Sequence, residues 1–309
     1  MHYHRPAVLF NKHIETIYPA LFRKIDTPAG LSERISTPDQ DFLDIKWYKS
    51  NSNKLVIISH GLEGNLDRVY VRGMANAFFR SGYDILTWNY RGCGEEMNLK
   101  TRFYHSGATD DLDTIVQHAV KKGYKLISLI GFSLGGNITL KYLGESFASS
   151  SHIIKAVTIS VPLNLDTSCI VISKKENWPY SYRFLKSLKH KVYEKARSME
   201  MLNADKLSSI RSIRHFDEWI TGPLHGFKDA ADYYNKCSSI YFLPFIKTQT
   251  LIINAKNDPF LSEDCYPKEI NTQFVRYLYP DHGGHVGFTL FNKKNLYWSE
   301  LMALEFITS

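Results

Sequence analysis

A chain of 309 residues, 44% hydrophobic and 22% charged, has the composition of an ordinary globular protein and room for a full core. Its formal charge of +7 raises the odds of anionic partners, yet no zinc-finger spacing, basic region joined to heptads or RNP-like strand accompanies it, so nucleic acid is not expected. No run of 18 apolar residues argues for a membrane-spanning helix, no small-residue cleavage site follows "MHYHRPAVLFNKHIETIY", and Cys93, Cys169, Cys237 and Cys265 form no Cys-x-x-Cys pair; reduced thiols, a cytoplasmic setting and no thiolate metal site are the expectation.

In chain order, residues 1–30 read as an irregular strap with one helical turn at "HIETIYPALFRK". "LSERIST" and "DFLDIKWYK" read as two strands joined by a tight turn carrying Pro38. A regular alternation comes next. "KLVIIS", "YDILTW", "KLISLI", "IKAVTIS", "TLIINA" and "FVRYLY" read as short buried strands. Between them, "VYVRGMANAFFRSG" has helical spacing and stops at Gly82. "TDDLDTIVQHAVKKG" reads as a helix with Thr109 as N-cap, and the dipole accounts for Asp110 and Asp111 in its first turn. "LGGNITLKYLGE" is a third helix and "NKKNLYWSELMALEFI" the last. The fold class is therefore α/β, a mostly parallel sheet with helices on both faces. The chain reads as a single domain over 1–309 with an insertion at about 162–245.

In such sheets functional residues collect beyond the carboxyl ends of the strands. "HGLEGN" follows the first of the buried strands, "GFSLGG" with Ser133 follows "KLISLI", "KNDPF" with Asp258 follows "TLIINA", and "PDHGGHVGF" with His285 follows "FVRYLY". Ser, Asp and His in that order are what an α/β-hydrolase nucleophile elbow requires. A serine hydroxyl is a poor nucleophile without a base, imidazole is the base poised near neutral pH, and a carboxylate fixes its tautomer. The flanking Gly131 and Gly135 permit the sharp turn and a close helix. Oxyanion donors are expected from the backbone N–H groups of Leu134 and Leu62.

The stretches "NKHIETIYPAL", "HGLEGN", "WNYRGCGE", "RFYHSGATDDL", "GFSLGGNITLKYLGE", "GPLHGFKDAADYY", "INAKNDPF" and "GGHVGF" together resemble the YheT-like branch of the α/β-hydrolases, which includes mammalian hydrolase-domain proteins and yeast medium-chain ester synthases. The resemblance implies the hydrolase fold with a helical cap, a triad of Ser133, Asp258 and His285, and no cofactor or metal. It implies a small-molecule acyl ester of short or medium chain as substrate, with acyl transfer from a thioester to an alcohol as the alternative chemistry. A non-catalytic binding role on the same fold is the further alternative. The membrane anchor of the mammalian relatives is not expected here.

Several residues compete for roles. His282 rivals His285, though the flanking glycines and the resemblance favour the latter. Asp281 and Asp264 rival Asp258 more weakly. "HSGATD" matches the His-x4-Asp spacing of some acyltransferases, but its acids are explained by the helix terminus. Arg91 and Glu63 are as suited to orienting loops as to touching substrate, and His60 suits a brace for the oxyanion turn. From Ser173 to His215, eleven Lys or Arg stand against four acids, an excess equal to the charge of the whole chain. With Trp178, Tyr180, Tyr182, Phe184 and Tyr193 interleaved, this basic cap is a candidate for weak peripheral association with an anionic membrane, against the plainer reading of a solvated positive face.

Overall fold

Apolar runs of four to seven residues become the central strands here because helices can cover both faces of the sheet. In the computed structural model, residues 2–198, 204–268 and 272–309 are described, without the side chains of 198 and 204–206. Among them the strands are β1 (Leu31–Ser36), β2 (Phe42–Tyr48), β3 (Lys54–Ser59), β4 (Asp84–Trp88), β5 (Leu126–Phe132), β6 (Ile153–Ile159), β7 (Gln249–Ile253) and β8 (Val275–Leu278). They form one sheet in the order β1-β2-β4-β3-β5-β6-β7-β8. The six strands from β4 to β8 along that order are parallel, and the hairpin β1–β2 adds an antiparallel edge.

The helices in chain order are α1 (Lys12–Phe22), α2 (Val69–Phe79), α3 (Thr109–Lys121), α4 (Leu134–Glu145), α5 (Leu165–Ile172), α6 (Trp178–Ser198), α7 (Ile213–Phe216), α8 (Gly222–Leu224), α9 (Ala230–Cys237) and α10 (Trp298–Thr308). Strand alternation divides the core into two layers. Val56 and Ile58 pack with Met74 and Phe78 of α2 and Met302 of α10. Leu55 and Ile57 face Leu112 and Val116 of α3 and Ile138 of α4. Helices α5 to α9 all lie between β6 and β7 and form the cap.

The direction of the crossovers reverses at β3, which has β4 on one side and β5 on the other. Ser59 is in register with Gly131, so the turns after β3 and β5 emerge side by side. This is the crevice at which open α/β sheets bind ligands.

Three expectations are corrected. The amino-terminal segment holds an eleven-residue helix rather than a single turn, because the Asn11 side chain accepts from the N–H groups of His13 and Ile14 and caps it. Thr109 is the first residue of α3, not its cap, and its hydroxyl donates to Glu145 at 2.6 Å. The last helix begins at Trp298 rather than near Asn292; Glu300 accepts from the Tyr297 N–H and pairs with buried Arg23 at 2.7 Å, which sets that start. Among the described residues no helix is long and apolar enough to cross a membrane.

Candidate active site

The loop after β5 turns abruptly because Ser133 has φ 52° and ψ −118°. A non-glycine residue there is strained, and the neighbours hold it. The Ser133 N–H donates to Ile159 O at 2.8 Å, across to β6. A Cβ on Gly131 would come within 2.4 Å of Gly135 O, and one on Gly135 within 2.5 Å of His60 O. These two glycines are therefore spacing requirements, letting α4 start directly against the end of β5 and the turn after β3.

Asp258 and His285 lie on the loops after β7 and β8. The Asp258 carboxylate is fully buried, accepts from Phe260 N–H at 2.9 Å, and reaches His285 Nδ1 at 2.8 Å through Oδ2. His285 Nε2 lies 3.0 Å from Ser133 Oγ. With Nδ1–H donated to the carboxylate, Nε2 is left to accept from the serine. The Phe260 ring packs on the imidazole, 4.3 Å between centroids.

Helix α1 holds the histidine loop. The His285 N–H donates to Thr16 Oγ1 at 2.9 Å, and that hydroxyl donates in turn to Lys12 O at 2.7 Å. Buried Glu15 accepts from the Gly283 N–H and, at 3.1 Å, from Asn257 Nδ2, the neighbour of Asp258. Asn257 Oδ1 accepts from the Gly284 N–H at 3.0 Å, joining the acid loop to the base loop. Pro19 has no N–H to donate to Glu15 O, and Gly287 approaches so closely that its Cβ would lie 2.4 Å from that oxygen. On the far side, Val286 N–H donates to Ser160 Oγ at 2.9 Å.

The turn after β3 is braced by aromatic hydroxyls. Gly61 N–H donates to Tyr70 Oη and Glu63 N–H to Tyr104 Oη, each at 3.0 Å. Leu62 N–H, between them, has no hydrogen-bond partner among the described residues. Gly61 lies against Ser133, since a Cβ on it would be 3.2 Å from the serine's. His60 is fully buried, with Nδ1 2.8 Å from Gly61 O and Nε2 3.4 Å from the Tyr90 N–H, and burial pushes its pKa down to about 3, so it stays neutral and braces this turn instead of facing Ser133. Glu63 joins this turn to the cap, accepting from Ser187 Oγ and, at 2.7 Å, Lys191 Nζ.

The cap encloses a cavity of about 750 Å³ that reaches Ser133, Leu62, Leu134 and His285. Leu165, Ile172, Phe184, Leu188, Val192 and Ile220 give it a mainly apolar wall. Among those side chains on the cap lies the carboxyl of Asp217, buried beside the hydroxyls of Thr221 (2.6 Å) and Tyr234 (2.7 Å). Burial raises its pKa to about 6, against the opposing effect of those two hydroxyls.

The rivals lie elsewhere. His282 Nδ1 sits 3.5 Å from Asn257 Nδ2, Asp281 pairs with Lys256 on the surface, and Asp264 reaches Asn164. Asp110 pairs with Arg102 rather than with His105. Arg91 is buried among Asp39, Asp41 and Asp111 and braces loops, so Asp111 answers to a guanidinium as well as to the helix dipole. Motif spacing misses Glu15 and Thr16 as supports. Their signal is a Glu-Thr pair three and four residues before a proline, together with a base loop too rich in glycine to hold itself.

This geometry has known counterparts. Residues 54–290 match the family model described as "alpha/beta hydrolase fold", and the chain belongs to that family. It is 34% identical over 287 residues to the Escherichia coli (strain K12) protein named "Putative esterase YheT", an alignment covering 90% of this chain and 84% of that one. It is 29% identical over 258 residues to a monoacylglycerol lipase of Saccharomyces cerevisiae, covering 79% of this chain and 57% of the lipase. Among solved structures, the Pyrococcus furiosus esterase Pf2001 superposes with a TM-score of 0.60 at 19% identity, over 93% of this chain and 97% of that one, a likeness of fold. The esterase and lipase relatives make this a hydrolase of the α/β class.

Two predictions arise from the supports and the cap. Thr16→Val removes the acceptor for His285 N–H at nearly constant volume; kcat should fall about tenfold with KM little changed, and Thr16→Ser should restore it. An unchanged kcat in the valine variant would show that the loop holds itself. For Asp217, the folded protein keeps a proton up to about pH 6 whereas the unfolded chain releases it near 3.8. Stability from this group is therefore lost as pH rises between those values. Denaturant titrations should show Asp217→Asn gaining on the parent by up to about 3 kcal/mol from pH 4 to pH 7, whereas a pH-independent difference would mean the carboxyl is not perturbed.

Proposed function

We propose that the protein is a serine carboxylester hydrolase acting on short- or medium-chain acyl esters through an acyl-enzyme on Ser133. The observation that carries this reading is the chain of contacts Ser133–His285–Asp258 opening into an apolar cavity. At about 750 Å³ the cavity falls within the roughly 300–1,000 Å³ of small-molecule sites. The monoacylglycerol named for the yeast relative is an acyl ester.

In the proposed cycle, Ser133 Oγ attacks the ester carbonyl while its proton passes to His285 Nε2. The oxyanion collects the N–H groups of Leu62 and Leu134, the latter at the positive end of α4. As the intermediate collapses, His285 returns the proton to the leaving alcohol, and the acyl group stays on Ser133. Water enters, gives its proton to His285, and the second collapse frees the acid and restores the serine. Asp258 keeps its charge throughout and stabilises the imidazolium.

Against p-nitrophenyl esters of increasing chain length, activity should rise from acetate into the medium-chain range. Ser133→Ala and His285→Ala should each lose about 10⁴–10⁶ in kcat, with His282→Ala far milder. Full activity in Ser133→Ala protein, or a loss confined to His282→Ala, would defeat the assignment. A product shifted wholly to the new ester on adding an alcohol would make acyl transfer the reaction.

A further inference from the structure

The charge of the cap does not form one face. Lys195 is fully buried and donates to Asn98 Oδ1 at 2.7 Å, Lys191 is paired with Glu63, Lys189 donates to Ile210 O, and Arg214 meets Asp166. Glu200 lies outside the described residues, as do the side chains of Asp205 and Lys206. Lys174, Lys175, Arg183 and Lys186 are exposed and have no ion pair among the described residues. All four lie at the start of α6 or just before it.

That end of α6 is joined to α1. Lys12 Nζ meets Glu176 at 2.9 Å, and the His13 and Tyr180 rings stack at 5.8 Å. From His13 the stripe along α1 continues through Ile17 and Leu21, which line the cavity and yet are 41% and 68% exposed. On α6, Trp178 and Tyr182, stacked on each other at 5.2 Å and 61% and 53% exposed, lie on the helix face turned away from the cavity. The apolar cavity is thus edged by exposed Ile17 and Leu21 on α1 and by exposed Arg183 on α6, and the aromatic pair and the lysines continue the exposed surface of α6 outward from Arg183.

We infer that α1 and the start of α6 form a docking surface for an anionic lipid bilayer, with the cavity mouth opening onto the membrane. Trp and Tyr suit the headgroup level, and lysines beside them suit anionic lipid. Ile17, Leu21 and Arg183 belong to both the patch and the cavity wall, so whatever covers the patch also covers the entrance. A folded protein partner would block that entrance, whereas a bilayer can cover it and still deliver an acyl chain. The inference rests on the ester-hydrolase reading for what enters the cavity, but not for the binding itself.

The test is co-sedimentation of Ser133→Ala protein, which leaves the lipid unconsumed, with phosphatidylcholine vesicles with and without phosphatidylserine. Phosphatidylserine vesicles should retain more protein, and salt should lower that excess. Trp178→Ser with Tyr182→Ser should weaken retention on both vesicles by about tenfold. Lys174→Glu, Lys175→Glu and Lys186→Glu together should abolish the preference for phosphatidylserine. In protein with Ser133 intact, both sets should hydrolyse a soluble short-chain p-nitrophenyl ester at the parent rate. No retention of the parent protein, or retention untouched by both sets, would overturn the inference, as would a dimer in solution that the Trp178 and Tyr182 changes dissolve while vesicles are ignored. Retention without hydrolysis of any ester would uphold the surface and remove only the reaction.

Discussion

The backbone turn at Ser133 constrains everything around it. An L-residue at φ 52° costs on the order of 1–3 kcal/mol, and the local sequence does nothing to lower that cost. It persists because β5 and α4 cannot otherwise be joined at this distance: Gly131 meets Gly135, Gly135 meets the backbone after β3, and Gly136 meets Val161. The same closeness lays the Leu62 turn beside the serine and points the start of α4 at it. Strain at one residue, spacing at three glycines and two available N–H directions are consequences of a single packing arrangement.

The acid and base loops have no such internal frame. The base loop carries positive φ at Gly283, Gly284, Val286 and Phe288, and nearly every polar backbone contact it makes near His285 leads to another element: Glu15, Thr16, Asn257 or Ser160. Helix α1 therefore works as a splint laid across two loops that the sheet only brings near. It lies outside residues 54–290, which match the hydrolase family model, and within "NKHIETIYPAL", one of the stretches that resemble the YheT-like branch. The cap meets the opposite side of the site through Glu63 and Lys191, leaving the cavity bounded by α1, the strand-end turns and α6.

The sheet could be read from the sequence because its physics is local. Runs such as "KLVIIS" and "KLISLI" are too short for helices and too apolar for an exposed edge, and Ser133, Asp258 and His285 stand at or just beyond the carboxyl ends of such runs. Long-range partners leave no such trace. The Thr16–His285 contact, the Thr109–Glu145 contact and the late start of α10 beside Arg23 depend on residues tens to hundreds of positions away. The basic segment of the cap is plain in the composition, but which lysines turn inward is decided by Asn98, Glu63 and backbone carbonyls that no spacing rule connects to it.

The central claim is that Ser133 is the residue that becomes acylated. It is tested most directly by treating the protein with a fluorophosphonate and mapping the modified peptide by mass spectrometry, with and without prior saturation by a medium-chain ester. The account predicts one adduct per chain, on Ser133, slowed by the ester. An intact protein that stays unmodified, or an adduct on any other residue with Ser133 left free, would contradict it.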